Sequence, residues 1–412
     1  MNQKTLIGLA SAALVAIVAA IAINHANAPR SENAGEASTY LAPELRDHVN
    51  DVSKIIVTGA DNKTLATLER GANGWSLAEK GGYPADTGKL REFLLKLADA
   101  KKVEQKTSNK DKYAALGVDD VSAKDAKGLQ VELDGLAPPL KLIVGSSNPR
   151  GGGTFVRRAG DAQSWLVSGA LTLEKNPADW LKKDLADIAA DRIASVAIAR
   201  ADGKSVRVAK DAEGDANFKL ADVPKGREPG AEFTLNGLAS TLAGLRFDDV
   251  VSAKDAMPDD KVLKAHYAAF DGLVVDATAW EKEGKDHAQF VASVDATQAD
   301  KGIAGAQAKA KSEFDAVAAT KPDATAKDAK ADAPIKPLAV SDPVKDRENR
   351  LAALNKEVAA LNTQFNGWTF VIPAYKYANI NKSIDDLLKP LEEKKPAEPA
   401  KKGIVAKPAK AG

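Results

Sequence analysis

Few side chains in this chain are typed and spaced for chemistry. Arg150-Gly151-Gly152-Gly153, followed by Arg157-Arg158, could form a backbone nest for an anion, with Arg150, Arg157 and Arg158 as counter-charges. A hairpin loop explains the same glycines, so both readings stay open. The four histidines, His25, His48, His266 and His287, are widely spaced, and a His266/His287 metal or acid-base pair needs the fold to unite them. Ordinary surface or half-buried histidines are the simpler reading. Gly203-Lys204-Ser205 looks like the end of a phosphate loop, but Ile198 stands where that loop needs its first glycine, and the stretch reads as a β-turn. His-Glu-x-x-His, Gly-x-Ser-x-Gly and Ser-x-x-Lys are all absent, which removes support for the common metalloprotease, hydrolase and penicillin-binding frameworks. No catalytic, cofactor or metal residue is assigned, and a non-enzymatic role is expected.

Composition narrows the class of protein. Lys+Arg 58 against Asp+Glu 57 gives a formal charge of +1, which argues against nucleic-acid binding through a bulk basic face. With 0 cysteines there are no disulfides, thiolate metal sites or cysteine nucleophile, a composition that suits an oxidising exterior. The run Leu6 to Ile23 carries no charge and, at about 1.5 Å per residue, makes a helix close to a ~30 Å hydrocarbon core. Ala26-Asn27-Ala28 matches a signal-peptide cleavage pattern, but the apolar run is long for one and Pro29 follows the cut. Retention as an anchor over residues 1–28 is expected. Lys4 before the run, with only Arg30 among Glu32 and Glu36 after it, puts the N-terminus in the cytoplasm and the bulk of the chain in a bacterial periplasm.

The elements that must position any site come in two copies. Ile55 to Thr58, a turn at Ala60 to Lys63, and Thr64 to Leu68 read as a hairpin. Leu90, Phe93, Leu94 and Leu97 form one helical stripe with Asp86 or Thr87 as N-cap. Short strands follow at Leu129 to Leu133, Leu140 to Val144, Thr154 to Arg157 and Trp165 to Val167, then a closing helix from about Pro177. The same order recurs from Ser195: a hairpin with a turn at Asp202-Gly203, a stripe of Leu235, Leu238, Leu242 and Leu245 with Thr234 as cap, and a closing helix at Ile384, Leu387 and Leu388. Tyr267-Ala268-Ala269-Phe270 answers Tyr113-Ala114-Ala115-Leu116, Gly272 to Asp276 answers Gly128 to Glu132, and Gly367 to Val371 parallels Ser164 to Val167. Asp119 to Ala126 and Asp248 to Ala256 nearly repeat, but on opposite sides of the Tyr-Ala-Ala string, so at least one of these matches is coincidence. Trp75, Trp165, Trp180 and Trp368 read as core anchors. The expected fold is α+β: a transmembrane helix, then two duplicated modules of antiparallel sheet with packed helices, at 50–190 and 191–392, with a period of roughly 140 residues.

The second copy carries an insertion, 296–343, rich in Ala, Lys, Asp, Thr and Pro. It holds few large apolar residues, so it is expected to stay mobile, with a transient helix near Ala304 to Ala318. Val344, Leu351, Leu354, Val358, Leu361 and Phe365 then repeat in heptad spacing over 344–365, either packing on their own module or meeting a partner helix. The tail 393–412 reads as a solvated Lys/Pro/Ala end.

Trp75, Tyr83-Pro84-Ala85-Asp86 before a Leu-rich helix, and Tyr113-x-x-Leu116-Gly117 resemble the bacterial family catalogued as domain of unknown function four-three-four-zero. His266-Tyr267-x-x-Phe270-Asp271-Gly272-Leu273 and the stretch Gly367-Trp368, Pro373, Tyr375-Lys376 look like the C-terminal part of its longer members, so the resemblance extends over nearly all of 50–392. It implies a membrane-anchored protein facing the periplasm, associated with ABC-transporter components of the gliding-motility type, and carries over no catalytic residue. The expectation is therefore a single-pass inner-membrane protein serving as an accessory or binding component of a transporter or envelope assembly. The alternatives are a periplasmic sensor for a glycan or anion, using Arg150 to Arg158, and an enzyme of unrecognised type.

Overall fold

The alternation from Ile55 to Leu68 folds as a hairpin, and a large antiparallel sheet grows from it. The structure is a computed structural model that describes residues 40–256, 258, 261–319 and 335–390. In the first unit, β1 (Lys54–Thr58), β2 (Thr64–Gly71), β3 (Gly74–Leu77), β4 (Tyr83–Pro84), β5 (Lys102–Gln105), β6 (Leu129–Asp134), β7 (Leu140–Ser147), β8 (Thr154–Arg158) and β9 (Ser164–Val167) lie in the order β4-β3-β2-β1-β6-β7-β8-β9-β5. Ile55 faces Leu68 and Leu133 across the ladder, Val57 faces Ala66 and Val131, and all six are buried. Period-two alternation puts them on one face, where α2 packs. A short α1 (Pro43–Arg46) precedes the sheet; α2 (Thr87–Asp99) and α3 (Tyr113–Leu116) fall within it.

The stripe of α2 is buried as expected: Leu90, Phe93, Leu94 and Leu97 are all buried. Burying each of these side chains stabilises the fold by about 1.5–3 kcal/mol. Asp86 is the N-cap, its carboxylate accepting the Lys89 N–H at 3.0 Å. The expected closing helix is instead one 3-10 turn, Pro177–Trp180. It cannot extend because Leu181 is already extended and bridges Ala85, while the Asp86 N–H donates to the Trp180 carbonyl at 2.8 Å. Trp180 is fully buried, edge-on to Phe93 with ring centroids 6.3 Å apart.

In the second unit, β10 (Asp184–Ala186) pairs with β14 (Leu245–Arg246). That pairing explains why the chain divides between Lys182 and Lys183 rather than at 190. The large sheet comprises β11 (Ile193–Ala199), β12 (Ser205–Ala209), β13 (Lys219–Leu220), β15 (Asp249–Ser252), β16 (Leu263–Ala269), β17 (Leu273–Lys282), β18 (Lys285–Val294) and β19 (Trp368–Val371). Its order, β13-β12-β11-β16-β17-β18-β19-β15, reproduces the first sheet strand for strand except for β4. The strand order therefore repeats between the two units. Register makes the equivalence residue by residue: Val57 to Val131 to Leu142 in the first sheet runs parallel to Ile198 to Ala265 to Ala277 in the second. Three residues further along, Gly145 of β7 and Trp280 of β17 hold equivalent positions.

The same registers correct the repeated strings. Tyr113 to Leu116 is helix α3, whereas Tyr267 sits in strand β16. The strand equivalent to β6 is β16, not the Gly272 to Asp276 stretch, which opens β17. Asp119 to Ala126 lies in a connection, whereas Asp248 to Ala256 runs through β15. Trp165 matches Phe370, not Trp368, because Val156 and Ala288 are equivalent and face those two strands. Of the tryptophans expected in the core, only Trp180 is fully buried; Trp75, Trp165 and Trp368 are half-buried. The second helical stripe also departs. Helix α4 (Glu232–Ala239) ends before Leu242, its N-cap is Ala231 rather than Thr234, and Leu245 belongs to β14, although all four leucines are buried. The second closing helix is again a 3-10 turn, Asp385–Leu387, bridging Pro229 to Leu388.

The insertion begins as a continuous helix, α5 (Ala296–Ala319), with Ala299 and Ile303 buried. Alanine's high helix propensity and a close seat on the β16–β17 turn override the polar composition. A β-carbon on Gly302 would lie 2.6 Å from the Phe270 carbonyl oxygen, so only glycine permits that approach. After α6 (Leu338–Ser341), the heptad segment forms α7 (Pro343–Phe365) and packs on its own sheet. Phe365 meets Phe290 with centroids 5.4 Å apart. The Asn362 side chain accepts the Ala292 N–H and donates to the Ala292 carbonyl, both at 2.8 Å. β19 pairs β18 only at His287 and Ala288, so this amide occupies edge that no strand covers. Helix α8 (Ala374–Ile380) follows. The Leu6 to Ile23 run, residues 320–334 and the 393–412 tail lie outside the described residues. Among the described residues, no helix is long and apolar enough to cross a membrane.

Candidate functional site

The three candidate arginines do not converge. Arg150 is exposed beyond the end of β7, its backbone N–H donating to Asn148 Oδ1 at 3.1 Å. Arg157 and Arg158 are adjacent in β8, so their side chains leave on opposite faces of the sheet. Arg157 is buried. Its Nε donates to the Val118 carbonyl at 2.9 Å, Nη1 to the Asp161 carbonyl at 2.8 Å and Nη2 to Asp120, while the guanidinium lies 4.5 Å from the Tyr113 ring centroid. Arg158 donates to the Leu41 carbonyl at 2.9 Å and pairs with Glu44 at 2.7 Å, holding α1. Five donors in a planar fork suit Arg157 to fastening the connection before β6 onto the sheet. There Tyr113 and Val118 join Ile143, Phe155 and Leu166 in a second small core on the sheet's outer face.

The histidines are also kept apart. His266 pairs with Asp276 at 2.7 Å on an exposed face. His287 is buried and stacks on Trp280, centroids 5.6 Å apart, with Nδ1 3.0 Å from the Lys285 carbonyl oxygen. His48 lies 2.6 Å from Asp51. Among the described residues, no group of His, Asp and Glu could hold a metal ion.

A cleft of about 370 Å³ in the second unit is the better candidate. The β16–β17 turn contributes Phe270 and Asp271, α5 contributes Gly302, Ile303 and Ala306, and α7 contributes Arg350, Leu354 and Glu357 at helical spacing along one face. Arg192, just before β11, and Glu213, between β12 and β13, complete it. Arg192 meets Glu357 fork to fork, at 2.6 and 2.8 Å, and reaches Asp271 at 2.7 and 2.8 Å. The Glu357 hydrogen bonds hold the guanidinium well above its ordinary value despite partial burial. Arg350 pairs through Nε with Asp346 at 2.8 Å and holds that carboxyl below its usual range. Arg347 to Asp300 and Gln307 to Asp346 tie α5 to α7. Such a site offers shape, an apolar floor and fixed charges. The sequence marked Leu354 but not Arg192, Glu213 or Glu357, because partners so far apart in the chain leave no local pattern.

Residues 75–266 match the family described as Domain of unknown function (DUF4340). The DUF4340 match opens at Trp75 in β3 and closes at His266 in β16, narrower than the 50–392 expected from the motifs. It takes in the Tyr113, Leu116 and Gly117 turn that Arg157 fastens. Of the cleft, it includes Arg192 and Glu213 and leaves out the β16–β17 turn, α5 and α7. No curated protein and no solved structure matches the chain.

Proposed function

We propose that the protein is a non-enzymatic binding component of a bacterial envelope assembly, held at the outer face of the inner membrane by Leu6 to Ile23. An ABC transporter is the partner class that the family resemblance suggests. The observation that carries the reading is where the cleft lies: the second unit repeats the first sheet and then departs from it by α5 and α7, the helices that wall the cleft. A duplicated scaffold keeps its packing and adds a recognition surface to one copy. Each of the cleft's arginines pairs with a carboxylate over an apolar floor, an environment suited to holding a partner. Crosslinking in intact membranes followed by mass spectrometry tests the reading. A transporter or envelope protein should be recovered with the chain, and recovery of the chain alone would sink it.

A further inference from the structure

The ion pairs of the α5/α7 cleft leave a charge over. Arg192 is taken up by Asp271 and Glu357, and Arg350 is bonded through Nε to Asp346. Glu213 lines the same cleft from an exposed loop and has no hydrogen-bond or ion-pair partner among the described residues. The lining is therefore net negative, two arginines against Glu213, Asp271 and Glu357, with one carboxylate free to receive a cation. Beneath it, Phe270, Ile303 and Leu354 form an apolar floor, and the two buried members, Ile303 and Leu354, come from different helices. Nη1 and Nη2 of Arg350 carry no bond to another described residue, so the rim also offers donors for an uncharged acceptor.

We infer that the cleft binds a basic peptide segment, seating one lysine or arginine between aliphatic neighbours. The cationic head meets Glu213, the aliphatic stem and neighbours lie on Ile303 and Leu354, and Arg350 donates to a backbone carbonyl of the segment. A cation, an aliphatic body and a carbonyl acceptor are together properties of a peptide. A simple amine lacks the acceptor, and an acidic segment meets the unpaired Glu213. A volume of about 370 Å³ holds one long side chain and parts of its neighbours. The inference rests on the reading of the protein as a binding component, and it names the chemistry of the partner.

The test is calorimetric titration of the full chain in mild detergent with three peptides: acetyl-Leu-Lys-Leu-amide, acetyl-Leu-Ala-Leu-amide and acetyl-Leu-Glu-Leu-amide. The lysine peptide should saturate, the alanine peptide should bind about fivefold or more weakly, and the glutamate peptide should be weaker still, as expected for one partly exposed charge-assisted contact. Glu213→Gln, in an exposed loop, should cut affinity for the lysine peptide about fivefold and leave the alanine peptide unchanged. Ala306→Phe, which fills the cleft from α5, should abolish binding of all three. Equal affinities for the lysine and glutamate peptides, no response to Glu213→Gln, or no saturation at millimolar peptide would each overturn the inference. If the peptides fail while crosslinking still recovers an envelope partner, the inference falls and the proposed function stands. If the lysine peptide binds as expected but crosslinking recovers no partner, the envelope reading falls alone.

Discussion

Gly145 in the first sheet and Trp280 in the second occupy equivalent positions on the outer face, and the two units fill that position differently. In the first unit the covering is a piece of connection. Tyr113, Leu116 and Val118 descend onto the sheet, and a β-carbon on Gly145 would lie 2.3 Å from the Leu116 carbonyl oxygen. In the second unit the fully buried Trp280 indole fills that position, stacked on His287, and the shorter connection between β15 and β16 also reaches the face, the Thr369 hydroxyl donating to the Ala256 carbonyl at 3.1 Å. The shared strand order thus fixes the inner face and leaves the outer one to be solved separately.

Trp280→Ala should destabilise the second unit by about 3–5 kcal/mol through lost transfer energy and a residual cavity, leaving the first unit's transition in place. Urea unfolding followed by hydrogen exchange resolves the two, and equal losses in both units would refute the assignment. Arg157→Met should cost the first unit about 3 kcal/mol, because the Val118 and Asp161 carbonyls lose their donors inside the protein. Arg157→Lys should not restore it, since a point ammonium cannot serve three acceptors in a plane and stack on Tyr113. Exchange of the amides from Val118 to Asp120 is the readout, and full rescue by lysine would contradict the fastening role. Gly145→Ala should cost about 2 kcal/mol by overpacking against the Leu116 carbonyl, whereas the same substitution at Gly305, helical and with nothing near its β-carbon, should cost nothing.

Smaller effects sharpen what the second unit adds. Asn362→Ala should cost about 1 kcal/mol and selectively expose the Ala292 amide to exchange. The weakest expected effect is on pH dependence. Asp346 has its folded pKa depressed by Arg350, then by Gln307, below an ordinary 3.8. Its contribution, made within α7 by the Arg350 pair and across to α5 by the Gln307 contact, is present in full above the ordinary value and disappears as pH falls through the lower folded value. Asp346→Asn should flatten the acid limb of the second unit's stability curve, and an unchanged limb would show that the contact does not depend on this charge.

Much of the scaffold was legible where information is local. The α2 stripe, its Asp86 cap and the first hairpin followed from spacing, because helix and strand periodicities act over a few residues. The duplication was legible as an order of elements, but the short repeated strings misplaced its details. In an alanine- and lysine-biased chain, Tyr-Ala-Ala arises as readily in α3 as in β16, and only ladder register separates them. Composition also misread α5: counting large apolar residues overlooks what Ala299, Ile303 and Gly302 achieve by close seating on a turn. The cleft was the least legible part. Arg192 and Glu357 are 165 residues apart, and Glu213 belongs to a turn whose sequence carries no sign of what faces it. Arg157 was singled out for its charge, yet its surroundings use it as a fastener.

The Asn362 amide on the bare edge of β18 has a further consequence. An uncovered row of strand N–H and C=O groups is a template for another strand, so α7 keeps this sheet from growing into its neighbours. A variant whose α7 detaches would keep most of its sheet and become a seed for polymerisation, and light scattering would register that before circular dichroism registered unfolding.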